Sequence, residues 1–260
     1  MKTALVTGAS SGIGATFAKE LAKKSYNLVL VARSQDKLEQ LALELSNRHQ
    51  IKTEVIAQDL TNTSARQKVF DEVQAKGIIV DLLVNNAGFG DYGTFSDRPL
   101  TKQMAMVQLN IAAVVELTGL FLPTMQQRRS GAIINISSIA GFQPIPYMSV
   151  YAASKAFVLN FSEALWAENK DKGVNILVSC PGPTESEFYN RADFPENATG
   201  LNGMTMASAE KVVEETLQAL DKKQSTVVAG GFANQIIVNL PRLVPRDLLV
   251  NVVGKQFKNI

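Results

Sequence analysis

Short runs of consecutive apolar residues alternate along this chain with longer stretches in which apolar positions recur every three to four residues. The short runs are Ala4–Val6, Leu28–Val31, Thr53–Ala57, Leu82–Val84, Ala132–Ile136, Asn175–Ser179 and Thr226–Ala229. Such short, mostly continuous apolar runs read as strands buried on both faces. Between them, Asp36–Asn47 carries Leu38, Leu41, Ala42 and Leu45 on one helical face, and Ser34 stands ahead of it where an N-cap belongs. Thr63–Lys76, after Thr61, and Tyr151–Asn169 read as helices too. The long window Met104–Arg128 ends in Arg128-Arg129, cations that suit the negative end of a helix dipole. Strands alternating with helices predict a parallel sheet, and right-handed crossovers make it doubly wound. The expectation is an α/β fold of about seven strands with helices on both faces. No repeat, low-complexity tract or linker divides the chain, so residues 1–260 are expected to form one domain. Gly182–Ala207 lacks a period and holds Pro183, Pro195, Gly200 and Gly203, so residues 182–207 are expected to be a substrate-binding loop. Residues 232–260 follow the seventh strand as a C-terminal extension rich in Ile, Val and Leu.

Composition narrows the chemistry. Apolar residues are 46% and charged residues 19% of 260, a globular balance. Twenty-six Lys and Arg against 24 Asp and Glu leave +2, which is no basic footprint for nucleic acid. One cysteine, Cys180, excludes an intrachain disulfide. With a single histidine, His49, it also removes Cys/His metal sites and most His-based triads, so no metal is expected. Met1-Lys2 runs straight into a strand, with no targeting segment, and no uninterrupted apolar run approaches the roughly 20 residues that span a bilayer. A cytoplasmic location is expected.

The turn Thr7-Gly8-Ala9-Ser10-Ser11-Gly12-Ile13-Gly14 follows the first strand and opens a helix. Glycines there let backbone approach a phosphate, and helix N–H groups favour its charge. The spacing is not G-x-G-x-x-G, because Phe17 stands where the last glycine would fall. Gly8-x-Ser10-x-Gly12 also matches a hydrolase nucleophile elbow. That reading needs an acid and then a histidine further on, and His49 lies in an early polar helix end.

Tyr151 and Lys155, four apart on a helix, share a face. A phenol titrates near 10, and a neighbouring ammonium favours the phenolate, so a tuned Tyr151 can exchange a proton with a carbonyl or alcohol oxygen as hydride moves. A serine hydroxyl can hold that oxygen without a metal.

The spacing Gly8-x-x-x-Gly12-x-Gly14, then Asn85-Asn86-Ala87-Gly88, Asn110, Ser138, Tyr151-x-x-x-Lys155 and Pro181-Gly182 follow in order. Over about residues 3–230 this set resembles the single-domain branch of the short-chain dehydrogenase/reductase family, which implies a Rossmann-type sheet and hydride transfer between nicotinamide and a carbonyl/alcohol pair. The resemblance implies Ser138 as substrate-orienting hydroxyl and Tyr151 as acid/base. Lys155 would tune Tyr151 and hold the nicotinamide ribose, and Asn110 would anchor a relay water. Gly8, Ser10, Ser11, Gly12, Ile13 and Gly14 would form the phosphate turn. Asn86, Ala87 and Gly88 would line the adenosine side and Asp59-Leu60 the adenine, unless Asp59 caps the following helix in competition with Thr61. Pro181, Gly182, Pro183 and Thr184 would lie beside the nicotinamide, with the hydroxyl contact open between Thr184 and Ser186.

At the end of the second strand an NAD enzyme carries Asp or Glu; this chain carries Arg33-Ser34. A guanidinium binds a 2′-phosphate, so NADP(H) is expected, the alternative being a surface Arg33 paired with Asp36 or Glu39. Phe188, Tyr189, Phe194 and Met204, or Phe142, Tyr147 and Met148, are candidates for an apolar lid as well as for ordinary core. Cys180 reads as a small buried hydrophobe. The extension sets Arg242, Arg246, Lys255 and Lys258 against Asp247. It suits a membrane surface, a cover for the substrate cleft or a subunit interface, the last two being favoured. The expected protein is an NADP(H)-dependent carbonyl reductase of a small molecule, a homodimer or homotetramer through its long fourth and fifth helices. The alternatives are a non-catalytic NADP-binding regulator and a peripheral membrane reductase of lipid-like carbonyls.

Overall fold

The computed structural model describes residues 1–195 and 206–258. In chain order the elements are β1 Thr3–Thr7, α1 Gly12–Lys23, β2 Asn27–Ala32, α2 Gln35–His49, β3 Thr53–Ala57, α3 Thr63–Ala75 and β4 Leu82–Asn85. There follow α4 Leu100–Val107, α5 Ala113–Arg128, β5 Gly131–Ile136, α6 Ser149–Asn169 and β6 Val174–Pro181. The rest are α7 Phe188–Arg191, α8 Ala209–Asp221, β7 Thr226–Ala229, α9 Phe232–Asn239 and α10 Arg246–Lys258. All seven strands are parallel, in the order β3-β2-β1-β4-β5-β6-β7. Chain direction across the sheet reverses between β1 and β4, which opens a crevice at their carboxyl ends, where open α/β sheets bind ligands.

Strand alternation feeds both layers. Val6, Leu30, Val84 and Ile134 point to one face and meet Phe17 and Leu21 of α1, Leu38 and Leu45 of α2 and Val213 and Leu217 of α8. Leu5, Val29, Leu83 and Ile133 point to the other and meet Val69 and Val73 of α3 with Leu117, Phe121 and Met125 of α5. Burying each such side chain contributes about 1.5–3 kcal/mol, which is why the sheet needs both helical layers. Strand and helix bounds agree with the expected ones to within a few residues, as boundary assignments do.

Two local expectations, both at helix caps, are corrected. Ser34 sits at the N-cap of α2, yet its hydroxyl makes no capping bond. Asn62, not Thr61, precedes α3 at its cap. α4 and α5 join through one π-turn, Gln108–Ala112, into a continuous helix Leu100–Arg128 of 29 residues, long and apolar enough to cross a membrane by length and composition. No uninterrupted apolar run in it approaches that length, the longest being 111–115 between Asn110 and Glu116. One stripe of this helix, Val114, Leu117, Phe121 and Met125, is buried in the protein core. The extension, finally, folds as α9 and α10, and α10 buries Leu249, Val253 and Phe257 with Met106, Ile145 and Met148. Met204 lies outside the described residues.

Candidate active site

The β1–α1 turn is a backbone cradle. Gly8 has φ +67° and Gly12 +54°, conformations that side chains rarely adopt. A Cβ at position 14 would lie 2.2 Å from the Gly8 carbonyl oxygen. The turn is tied to the end of β4: the Asn86 side chain donates to the Thr7 carbonyl at 2.9 Å, and the Asn86 and Ala87 amides donate to the Thr7 hydroxyl at 2.9 and 3.0 Å. Ser11, extended at the N-cap of α1, leaves the helix N–H groups uncapped by its side chain.

Arg33 is exposed at the end of β2. Among the described residues it forms no ion pair, with Asp36 and Glu39 included; Glu39 instead accepts from Gln35. Beside it the Ser34 hydroxyl is uncommitted to α2. Asp59 does not cap α3. One of its oxygens accepts from the Thr61 amide at 3.0 Å and the Thr61 hydroxyl at 2.8 Å, a local turn.

Three segments converge beyond the carboxyl ends of β4, β5 and β6. Ser138 opens a single 3-10 turn, Ile139–Phe142; its oxygen accepts from the Ala140 amide at 3.1 Å and its hydroxyl donates to the Pro181 carbonyl at 3.4 Å. Gly141 lets this turn lie against α6, since a Cβ there would stand 2.8 Å from the Lys155 carbonyl oxygen. The Ser137 hydroxyl donates to that same carbonyl at 2.7 Å. Tyr151 is buried in the first turn of α6, its ring 5.2 Å from that of Phe188. Lys155, one turn on, is buried too; its Nζ donates to the Ile136 carbonyl at 2.9 Å and lies 5.7 Å from the Tyr151 ring centre.

Asn110 sits within the π-turn, where the extra residue turns its amide off the regular helical path. Its Nδ2 donates to the Phe89 carbonyl at 2.9 Å and the Ser154 hydroxyl oxygen at 3.1 Å, and its Oδ1 accepts from the Phe89 amide at 3.1 Å. Asn110 Oδ1 and Lys155 Nζ both border Gly88, 3.0 and 3.5 Å from where its Cβ would be.

The electrostatics depart from expectation. The ammonium of Lys155 does not bring the Tyr151 phenol down. Burial drives the phenol above its ordinary value, and the Ser138 hydroxyl opposes this only in part. The same burial lowers Lys155 to about 8, so the cation meant to hold a phenolate is itself costly to charge. Cys180 is fully buried, the core residue expected, and that burial pushes its thiol up to about 12.

One cavity of about 480 Å³ connects these groups. Gly8, Ser10, Ser11, Gly12, Ile13, Arg33, Ser34, Asp59, Leu60, Asn86, Ala87 and Gly88 line one arm. Ser138, Tyr151, Lys155, Pro181, Gly182, Thr184 and Ser186 line its middle. Gly14 and Asn110 stand behind the wall. The rest of the lining is mostly apolar, with Ile145, Met148, Phe188, Tyr189, Phe194, Leu249, Val253 and Phe257, joined by Gln143, Glu187, Arg191 and Gln256. Phe142 packs elsewhere, whereas Tyr147 packs against the same apolar cluster without lining the cavity.

Sequence reasoning missed a buried charged cluster that ties the loop after β4 to the segment after α7. The Asp91 carboxylate is buried and accepts from Arg98 Nε at 2.7 Å and Gln103 at 2.6 Å, with Lys102 Nζ 2.6 Å away. Arg98 and Lys102 also pair with Asp193, just beyond α7. Burial alone would raise the Asp91 carboxyl, and the two cations more than reverse it. Nothing in the spacing of these residues signals the cluster. Leu249, Val252, Val253 and Phe257 of α10, which line the cavity, were legible only as apolar.

A glycine cradle at the switch point of a doubly wound sheet, opening on a Ser–Tyr–Lys cluster, defines a dinucleotide-dependent oxidoreductase of the carbonyl/alcohol type. The sequence matches the family described as short chain dehydrogenase over residues 2–196, and the chain belongs to that family. It is 42% identical over 273 aligned positions to a very-long-chain 3-oxoacyl-CoA reductase of Anas platyrhynchos, covering 99% of this chain and 80% of that one. It is 35% identical to the ketoacyl reductase HetN of a Nostoc species, covering 94% and 83%. Among solved structures, a short-chain dehydrogenase from Sphingobium yanoikuyae in complex with NADPH superposes with a TM-score of 0.82 at 32% identity, covering 88% of this chain and 87% of that one.

Proposed function

We propose that this protein is an NADPH-dependent reductase of ketone carbonyls borne on long apolar, acyl-type molecules. One observation carries the reading: a single cavity joins the uncommitted Arg33 guanidinium, the Ser138–Tyr151–Lys155 cluster and an apolar arm. The glycine turn and the N-terminus of α1 would hold the pyrophosphate, Arg33 and Ser34 the 2′-phosphate, and Asp59 and Leu60 the adenine. Asn86, Ala87 and Gly88 would line the adenosine side, Lys155 would meet the nicotinamide ribose, and Pro181, Gly182, Thr184 and Ser186 would flank the nicotinamide. When bound, NADPH supplies the hydride.

The residues of the chain manage the proton. Ser138 holds the carbonyl oxygen by hydrogen bonding. Tyr151, kept protonated by burial, donates its proton to that oxygen as negative charge develops on it. Lys155 and Asn110 border Gly88 together and form the inner end of the path that returns a proton to Tyr151. The names of the relatives, a very-long-chain 3-oxoacyl-CoA reductase and a ketoacyl reductase, point to a 3-oxoacyl thioester as the first substrate to try.

The test follows NADPH absorbance with 3-oxoacyl thioesters of increasing chain length and with short ketones. Turnover that rises with chain length and falls at least about 10²-fold in Tyr151→Phe supports the reading. Turnover that survives in Tyr151→Phe overturns the catalytic assignment, and indifference to chain length overturns the substrate class. The buried, unpaired Cys180 thiol suits the reducing cytoplasm. Exposed Leu100 and Met104 on α4 and Phe157 on α6 favour pairing of two copies through these helices; light scattering that shows a monomer at all concentrations would remove this.

A further inference from the structure

The apolar arm of the cavity reaches the surface between α9 and α10. Leu240, just past α9, and Val252 of α10 both line the cavity, yet they are 51% and 57% exposed. The mouth therefore opens through apolar side chains. Phe232 and Ile236 continue the Leu240 stripe up α9 at four-residue spacing, 75% and 57% exposed. Leu248 is exposed beside Val252 on α10, and Leu243, in the turn between the helices, is 83% exposed. The opposite faces are already satisfied, with Val238, Leu249, Val253 and Phe257 buried. Contiguous exposed apolar surface of this kind marks an interaction site. The same stretch carries Arg242, Arg246, Lys255 and Lys258 against Asp247, +3 in side-chain charge.

We infer that the α9–α10 pair docks on an anionic lipid surface, with the mouth of the cavity turned toward it. Apolar side chains interleaved with cations are what an interfacial helix presents to acyl chains and headgroups together. A second copy of the chain fits less well, because a two-fold contact would set exposed Arg246, Lys255 and Lys258 against their own duplicates. Docking stands on the patch alone. That the docked mouth admits the apolar part of a carbonyl substrate straight from the lipid rests on the reading above.

The whole protein is sedimented with vesicles of phosphatidylcholine alone and of phosphatidylcholine with phosphatidylglycerol. It is expected to pellet with the anionic vesicles and to be released by high salt. Phe232→Ser with Leu243→Ser, neither of which lines the cavity, is expected to lower the bound-to-free ratio about tenfold or more. Turnover of a short, water-soluble ketone stays unchanged, which shows that the variant folds. A wild-type protein that stays in solution with both vesicles overturns the inference, as does equal pelleting of the variant. Loss of a dimer in the variant, without vesicle binding by either protein, assigns the face to a second copy instead. Pelleting with no turnover of any long-chain oxoacyl thioester supports docking and sinks the substrate reading.

Discussion

Lys155 is the residue whose environment most changes its chemistry. Its folded value of about 8 lies below the ordinary 10.5. Between these values the unfolded chain holds a proton that the folded chain has released, so stability rises with pH across that window. The gain is on the order of 3 kcal/mol at most. Urea unfolding from pH 8 to 10 is expected to show this slope, and Lys155→Met to flatten it. Carbonyl reduction should fall over the same range as the ammonium charge is lost. Arg33 acts at the other arm. Free of Asp36 and Glu39, it is available to a phosphate, and Arg33→Asp is expected to lower the NADPH/NADH preference about 10²-fold, read as the ratio of kcat/KM. An unchanged ratio would return Arg33 to the role of a surface cation.

At the scale of elements, the π-turn between α4 and α5 is held by a fully buried arginine. Arg66 of α3 donates to the carbonyls of Leu60, Thr61 and Gln108, to the Gln108 side chain and to Glu116. It thus ties the Asp59-Leu60 loop to the turn that carries Asn110. Arg66→Met should cost about 3–5 kcal/mol, because Glu116 and several carbonyls lose their partner together. Thermal unfolding measures that cost. If the tie positions Asn110, kcat should fall more than the KM for NADPH rises. α10 makes a second case. Phe257 is buried against the cavity wall, and its carbonyl accepts from the Tyr92 hydroxyl at 2.6 Å. Phe257→Ala should destabilise by about 3–5 kcal/mol and enlarge the apolar arm, shifting preference toward bulkier substrates in a chain-length series.

For the whole molecule, Asp91 holds Arg98 and Lys102, and through them the loop after β4 and the start of α4 are tied to Asp193, more than 90 residues further on. Asp91→Asn keeps the shape and removes the charge facing Arg98 and Lys102, so a loss of about 3–5 kcal/mol is expected by denaturant titration. Phe188 and Phe194 flank this latch and line the apolar arm, so the KM for long substrates should rise as well.

The parallel, doubly wound sheet was legible because apolar runs of three to five residues between amphipathic windows have few other ways to bury both faces. The glycine turn, Ser138, Tyr151, Lys155 and Arg33 were legible because their spacing is set by the strand and helix periods that present them. The chain by itself thus determined its fold class, the Ser138, Tyr151 and Lys155 set that lines the cavity and the basic residue just after β2. Tertiary structure alone decided the rest. Whether Lys155 lowers the Tyr151 phenol depends on how deeply both are buried, and burial belongs to the packed molecule. The meeting of Asp91 with Arg98, Lys102 and Asp193 depends on loop paths that no local period records. The covering of the active site by one face of α10, with the apolar face around its mouth left open, was settled by where the last helices lie against the sheet.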